Sequence, residues 1–151
     1  MSVATKPPPK DWPRMSASVF YSEAAKAIDW LCNAFGFEVQ LRVEGEAGRI
    51  EHAELVLAGA LITTGDVPRK DREWRRTPKE AGGCTISLCF YIDDVDAHCE
   101  RARKAGAVIA QEPKTTDYGD DYWVDRSYGC FDPEGHHWWF MQRIKDNPRK
   151  S

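Results

Sequence analysis

The chain lacks any apolar run long enough to cross a bilayer, and its first residues lack the pattern of a signal peptide, so a cytoplasmic location is expected and a membrane partner is not. It lacks a cysteine framework. Cys32, Cys84, Cys89, Cys99 and Cys130 are odd in number and no two form a C-x-x-C, which argues against a disulfide scaffold and a zinc pattern and for free thiols in a reducing compartment. It lacks a basic excess: a net charge of -3 argues against nucleic acid, whose phosphates call for clustered Lys and Arg. It also lacks a G-x-S-x-G elbow, a P-loop and a Rossmann fingerprint, so the chemistries those motifs carry are not announced and no cofactor is expected.

What is present is an ordinary globular balance, 42% hydrophobic and 30% charged over 151 residues, which suits one domain. Residues 1–14, with three consecutive prolines, read as a disordered or extended arm, residues 15–143 as the domain, and residues 144–151 as a tail.

The domain repeats itself. Offset by 70 residues, Tyr21 falls on Tyr91, Ala27 on Ala97 and Gly36 on Gly106. Both segments read strand, acidic turn, helix, glycine, strand. The first helix spaces Ala27, Ile28, Leu31 and Ala34 along one face, with Glu23 at its positive end and Gly36 as its stop. The second opens near Asp93 and Asp94, carries Val95, Cys99 and Ala102, and stops at Gly106. Strands are expected over 38–43, 49–57 and 60–64 in the first copy, and over 107–110, 122–131 and 136–142 in the second, with turns at Ala58-Gly59 and at Asp132-Pro133-Glu134-Gly135. Module one is then 15–65, module two is 84–143, and the basic stretch 66–83 joins them. That stretch, with Arg69, Arg72, Arg75 and Arg76, is either a solvated linker or an anion-attracting lid anchored by Trp74.

Alternation sorts the faces. Ile86, Leu88, Phe90 and Ile92 are expected to pack under a helix, leaving Thr85, Ser87, Cys89 and Tyr91 for a ligand groove. Ala53, Leu55 and Leu57 likewise oppose His52, Glu54 and Val56. In the last strand, His136, Trp138 and Phe140 alternate with His137, Trp139 and Met141; both sets are largely apolar, and the pattern does not choose between them. The fold class is α+β, two βαβββ modules forming curved mixed sheets around a shared concave groove with helices on the outside.

The segments AIDWLCNAFGFEV, IDDVDAHCERARKAGA and DPEGHHWWF, with Tyr118-Gly119 upstream of Arg126-Ser127-Tyr128-Gly129, resemble the vicinal oxygen chelate superfamily (glyoxalase, bleomycin resistance, dioxygenase), in flavour its PhnB-like, glyoxalase-related branch. The resemblance spans about residues 15 to 143 and implies paired βαβββ modules, a small-molecule ligand and a homodimer. In relatives of glyoxalase type, four strands each offer a metal ligand. The motif match carries those places onto Ser16, Thr63, Ser87 and Trp139, none of them a usual ligand for a divalent ion, so no metal is expected there. His52, Glu54 and His137 are the remaining candidates for a rearranged two-His-one-carboxylate set.

Two functions stand beside each other, with a structural module carrying a vestigial pocket behind them. The first is metal-free binding in an aromatic groove, as in bleomycin-resistance-type members that sequester a planar or antibiotic-like ligand. Its candidate lining is Phe20, His52, Glu54, Thr63, Ser87, Cys89, Tyr91, Tyr122, Trp123, His137, Trp139 and Met141. Asp120, Asp121 and Asp125 either draw in a cationic ligand or are a solvated loop. The alternative is a lyase, isomerase or dioxygenase-type enzyme with His52 and Glu54 as catalytic candidates, through a metal or through general acid–base chemistry. Cys89 could act as a nucleophile only with His52 beside it.

Overall fold

The structure is a computed structural model that describes residues 6–147. Module one comprises β1 (Ala17–Tyr21), α1 (Ala24–Phe35), β2 (Glu38–Glu44), β3 (Ile50–Leu57) and β4 (Ala60–Asp66). A short α2 (Pro78–Ala81) interrupts the connecting stretch. Module two comprises β5 (Ser87–Tyr91), α3 (Val95–Lys104), β6 (Val108–Asp117), β7 (Trp123–Phe131) and β8 (His137–Asp146). The sheets are four-stranded and mixed, ordered β1-β4-β3-β2 and β5-β8-β7-β6, with β1·β4 and β5·β8 parallel and the other pairs antiparallel. This is the expected α+β class. Strand β8 runs on to Asp146, three residues beyond the expected end of the domain, so only residue 147 of the expected tail lies outside it among the described residues; β6 is likewise longer than 107–110.

Local chemistry sets the elements. In α1, Ala24, Ile28, Leu31 and Phe35 recur at helical spacing and are buried. Gly36 ends it at φ 84, a conformation side chains disfavour. Glu23, expected to serve the start of α1, makes no capping hydrogen bond and pairs with Lys26 instead. The orphan donors are met from elsewhere in the fold: the amide of Ala24 donates to Asp66 on β4, and the amide of Ser22 donates to Glu134 in the β7–β8 turn. Asp94 caps α3 by accepting from the Ala97 amide. Ala58 and Gly59 both have positive φ, so the β3–β4 turn is of the tight type that suits strand twist. Pro113 is tolerated in β6 because that strand is an edge.

One continuous core joins the modules on the helix side. Phe35 of α1 packs against Trp138 and Phe140 of β8, and Phe37 packs against Phe90 and Trp138. The last strand is thereby resolved: Trp138 and Phe140 are fully buried, and His137, Trp139 and Met141 take the opposite, groove face. Ile86 departs from expectation. It precedes β5 and is 63% exposed, while Leu88, Phe90 and Ile92 do pack inward. A buried polar joint reinforces the seam: Asp132 accepts from the phenol of Tyr21 at 2.7 Å and from the indole of Trp138 at 3.1 Å, and lies 3.0 Å from His136 Nδ1.

Candidate functional site

The candidate residues divide between two groove faces. Phe20, His52, Glu54 and Thr63 lie in the first sheet; Ser87, Cys89, Tyr91, Trp123, His137, Trp139 and Met141 lie in the second, with Tyr122 just before β7. A cavity of about 340 Å³ is lined by Gln111, Lys114, Thr116, Tyr118, Ser127, Trp139 and Met141, all of module two.

On the first face Glu54 is the hub. Its Oε1 lies 3.0 Å from His52 Nε2, and its Oε2 accepts from Gln40 at 3.0 Å and from the indole of Trp12 at 3.2 Å. Trp12 belongs to the arm expected to be disordered or extended, and it ties that arm to β3. Desolvation works to raise the Glu54 carboxyl, but the hydrogen bonds from His52, Gln40 and Trp12 outweigh it and hold the group below its ordinary value. Next to it Ser18 Oγ and Thr63 Oγ1 share a hydrogen bond of 2.7 Å across the parallel pair β1·β4.

On the second face the register lays out three complete rows. His137 stands between Phe131 and Ser87, Trp139 between Gly129 and Cys89, and Met141 between Ser127 and Tyr91. Gly129 matters most. A Cβ there would come within 3.2 Å of two carbons of the Trp139 six-membered ring and 3.1 Å of His137 Nε2. The indole therefore rests against bare backbone, and its remaining surface lines the cavity. His137 stands at right angles to it, with ring centroids 5.5 Å apart; its Nδ1 lies 2.8 Å from Ser87 Oγ, and burial pushes its pKa down, favouring the neutral ring.

Asp125, read in the sequence either as part of a cation-attracting cluster or as part of a solvated loop, is neither. That carboxylate is buried, accepts from the Tyr91 phenol at 2.7 Å and is ion-paired with Arg143 at 2.7 Å. Arg143 in turn lies over the Trp123 ring, 4.6 Å from its centroid. Asp125 is thus neutralised, and the exposed cation lining the cavity is Lys114.

The sequence profile of the Glyoxalase/Bleomycin resistance protein/Dioxygenase superfamily matches residues 15–140. The chain belongs to that superfamily. An uncharacterised protein of Mycobacterium bovis is 33% identical over 135 residues, 89% of this chain and 86% of its own length. Among solved structures, TioX from Micromonospora sp. ML1 is 31% identical, with a TM-score of 0.65 over 86% of this chain and 95% of that one. A glyoxalase/bleomycin resistance protein from Streptomyces sp. CB03234 is 25% identical, with a TM-score of 0.57 over 84% and 97%.

Superfamily membership makes the metal question specific, and the donors present do not fit. In the first sheet the carried-over place on β4 is Thr63, whose neighbour on β1 is Ser18; Ser16 lies before the strand. In the second, Trp139 faces Cys89, and Ser87 faces His137 one row away. Hydroxyls already bonded to one another and an indole that can only donate are poor ligands. The rearranged set does not assemble either: His52 and Glu54 are together, but His137 is on the other sheet, and among the described residues no three His, Cys, Asp or Glu side chains converge to hold an ion. Cys89 makes no hydrogen bond to His52; its opposite number is Trp139.

Several residues on these faces escaped the sequence reading. Gln111, Lys114 and Thr116 lie on a strand whose alternation is broken by irregular register between Ile109 and Lys114, which hides the facing side chains. A glycine inside a strand is itself a signal of close approach, and Gly129 carried that signal. The repeat also misled at one point. Tyr21 and Tyr91, matched by the offset, fall on opposite faces, Tyr21 fully buried and Tyr91 46% exposed, because a one-residue slip in a strand exchanges its sides.

Proposed function

We propose that the protein is a small-molecule-binding member of the superfamily that works without the family metal site and holds a planar, antibiotic-like ligand on the groove face of its second sheet. The contact between Trp139 and Gly129 carries this reading. An indole seated on bare backbone, beside Met141, Tyr118 and the hydroxyls of Ser127 and Thr116, offers a ring surface for stacking together with a few polar anchors. Tyr91, Trp123 and Tyr122 extend the aromatic surface beyond the cavity, and Ser87, Cys89 and His137 form its other side. In this proposal Phe20, His52, Glu54 and Thr63 of the first sheet contribute outer contacts beyond the cavity, none of them lining it. The ligand is a small molecule rather than nucleic acid, and the setting a reducing cytoplasm, in keeping with five free thiols. The motifs of its helices and last turn favour the PhnB-like branch.

A homodimer completes the binding surface in this proposal. The exposed side chains of Val39, Leu41 and Val43 on the edge strand β2 support it, because apolar edges invite pairing. Size-exclusion chromatography with light scattering reads this directly.

The enzymatic alternative would use His52 and Glu54. Their contact is real, but a carboxylate held low by three donors is a weak base near neutral pH and a poorer acid. The test of the main reading is a panel of two- and three-ring planar compounds titrated by calorimetry in EDTA-containing buffer. Saturable binding that EDTA leaves intact is expected. Binding or turnover that appears only with an added divalent metal would overturn it.

A further inference from the structure

A second cavity, of about 310 Å³, lies between the modules and shares no lining residue with the one over Trp139. Phe20 and Ser18 of β1 line one side, the connecting stretch with Trp74, Arg75 and Arg76 covers it, and Thr85, Ile86 and His136 contribute from module two. No aspartate or glutamate lines it.

Its two arginines differ from their neighbours in the same stretch. Arg69 is paired with Glu51 and Asp71, and Arg72 with Asp71. Among the described residues, neither Arg75 nor Arg76 forms an ion pair. The Arg75 guanidinium lies 4.3 Å from the centroid of Phe20 and 5.3 Å from that of Trp74. Stacking of this kind occupies the face of the guanidinium and leaves its in-plane N–H groups to find acceptors. One of them finds none: Arg75 Nε is buried without a hydrogen-bond partner. A buried donor of a charged group left unmet is costly, and it marks a place where an acceptor is missing. Burial, with the nearby charges of Arg72 and Arg69, also pushes the Arg75 pKa down, as expected of a cation that lacks its counter-charge.

We propose that this cavity binds the oxyanion of a small organic molecule, a carboxylate or a phosphate monoester, with Arg75 and Arg76 facing the charge and Phe20 and Ile86 against the apolar body. A planar oxyanion can take two parallel hydrogen bonds from a guanidinium edge. The stretch 66–83 then serves as a lid that carries the charge, and the fixed Phe20 ring holds that charge in position.

Isothermal titration of the full-length chain with benzoate, phenyl phosphate and neutral benzamide tests this. Both anions are expected to bind, with benzamide at least about tenfold weaker, and benzoate affinity should fall with rising salt. Arg75→Gln is expected to weaken benzoate about tenfold or more, by the same factor in the natural chain and in a Trp139→Ala background. Arg76→Gln, at an exposed side chain, should weaken it too, and it decides the matter if Arg75→Gln fails to fold. Benzamide binding to Trp139→Ala as tightly as benzoate, an unaltered affinity in the arginine variants, or no heat from either anion at millimolar concentration would each overturn the proposal.

Discussion

The backbone of Gly129 on β7 and the indole of Trp139 on β8 touch, and a Cβ at residue 129 would stand 3.2 Å from the ring. The missing side chain is what allows the ring to lie where it does. Gly129→Val is therefore predicted to tilt the indole off the strand. Near-ultraviolet circular dichroism should change, affinity for planar compounds should fall about tenfold, and the domain should lose only about 1–2 kcal/mol by chemical denaturation. A valine variant with unaltered affinity would show that the indole's position is irrelevant to binding.

Asp132 makes a different kind of prediction, about acid stability. Burial works to raise its carboxyl, yet the hydrogen bonds from His136, Tyr21 and Trp138 outweigh that and hold it below the ordinary range. A folded value below the unfolded one means stability that is complete above about pH 4 and lost as pH falls through the folded value. Asp132→Asn should cost about 2–3 kcal/mol at neutral pH, and the gap to the natural protein should close as the pH drops toward 2. Urea melts at a series of pH values measure this. A gap that stays constant down to pH 2 would contradict it.

His98 should give a second transition at milder pH. Burial is the main cause holding its pKa below the ordinary histidine value; its Nδ1 lies 2.6 Å from the Tyr128 hydroxyl and its Nε2 2.9 Å from the Phe35 carbonyl. Because the folded value is lowered, the stability it confers is present above about pH 6.5 and erodes as the pH falls through the folded value. The melting temperature is expected to fall from pH 7.5 to pH 5, and the fall should shrink in His98→Gln. An equal slope in both proteins would place that pH dependence elsewhere.

Glu54→Gln separates the two functional readings. If the His52–Glu54 pair contributes only outer contacts to binding, the amide should keep the contacts to Trp12 and Gln40 approximately, and ligand affinity should change by less than about threefold. Loss of a measurable turnover with affinity retained would instead favour the enzyme.

The architecture was legible because each element carries its own signal. The stripe of α1, the glycine stops and the period-two strands are local properties, and the two copies reinforce one another. The resemblance of the turn Asp132–Gly135 added the family. The site was less legible. Which side of β8 faces the groove could not be read from WW flanked by HH and FM, since both faces are apolar; packing of Phe35 and Phe37 against Trp138 decides it. Asp125 read as a cation-attracting or solvated loop carboxylate because its partner Arg143 lies on another strand. Lys114 was hidden by irregular register, and Trp12 was hidden in a proline-rich arm. Each miss is a contact between elements, which periodicity does not encode.

In the proposed function Trp139, at the place the family resemblance gives to a metal ligand, is itself the binding surface. Calorimetric titration of a planar three-ring compound into the natural protein and into Trp139→Ala, both in EDTA, tests it most directly. Saturable binding to the natural protein is expected, with a loss of about tenfold or more in the variant and the fold intact by circular dichroism. Equal affinity in the two proteins, or binding that requires an added divalent metal, would contradict it.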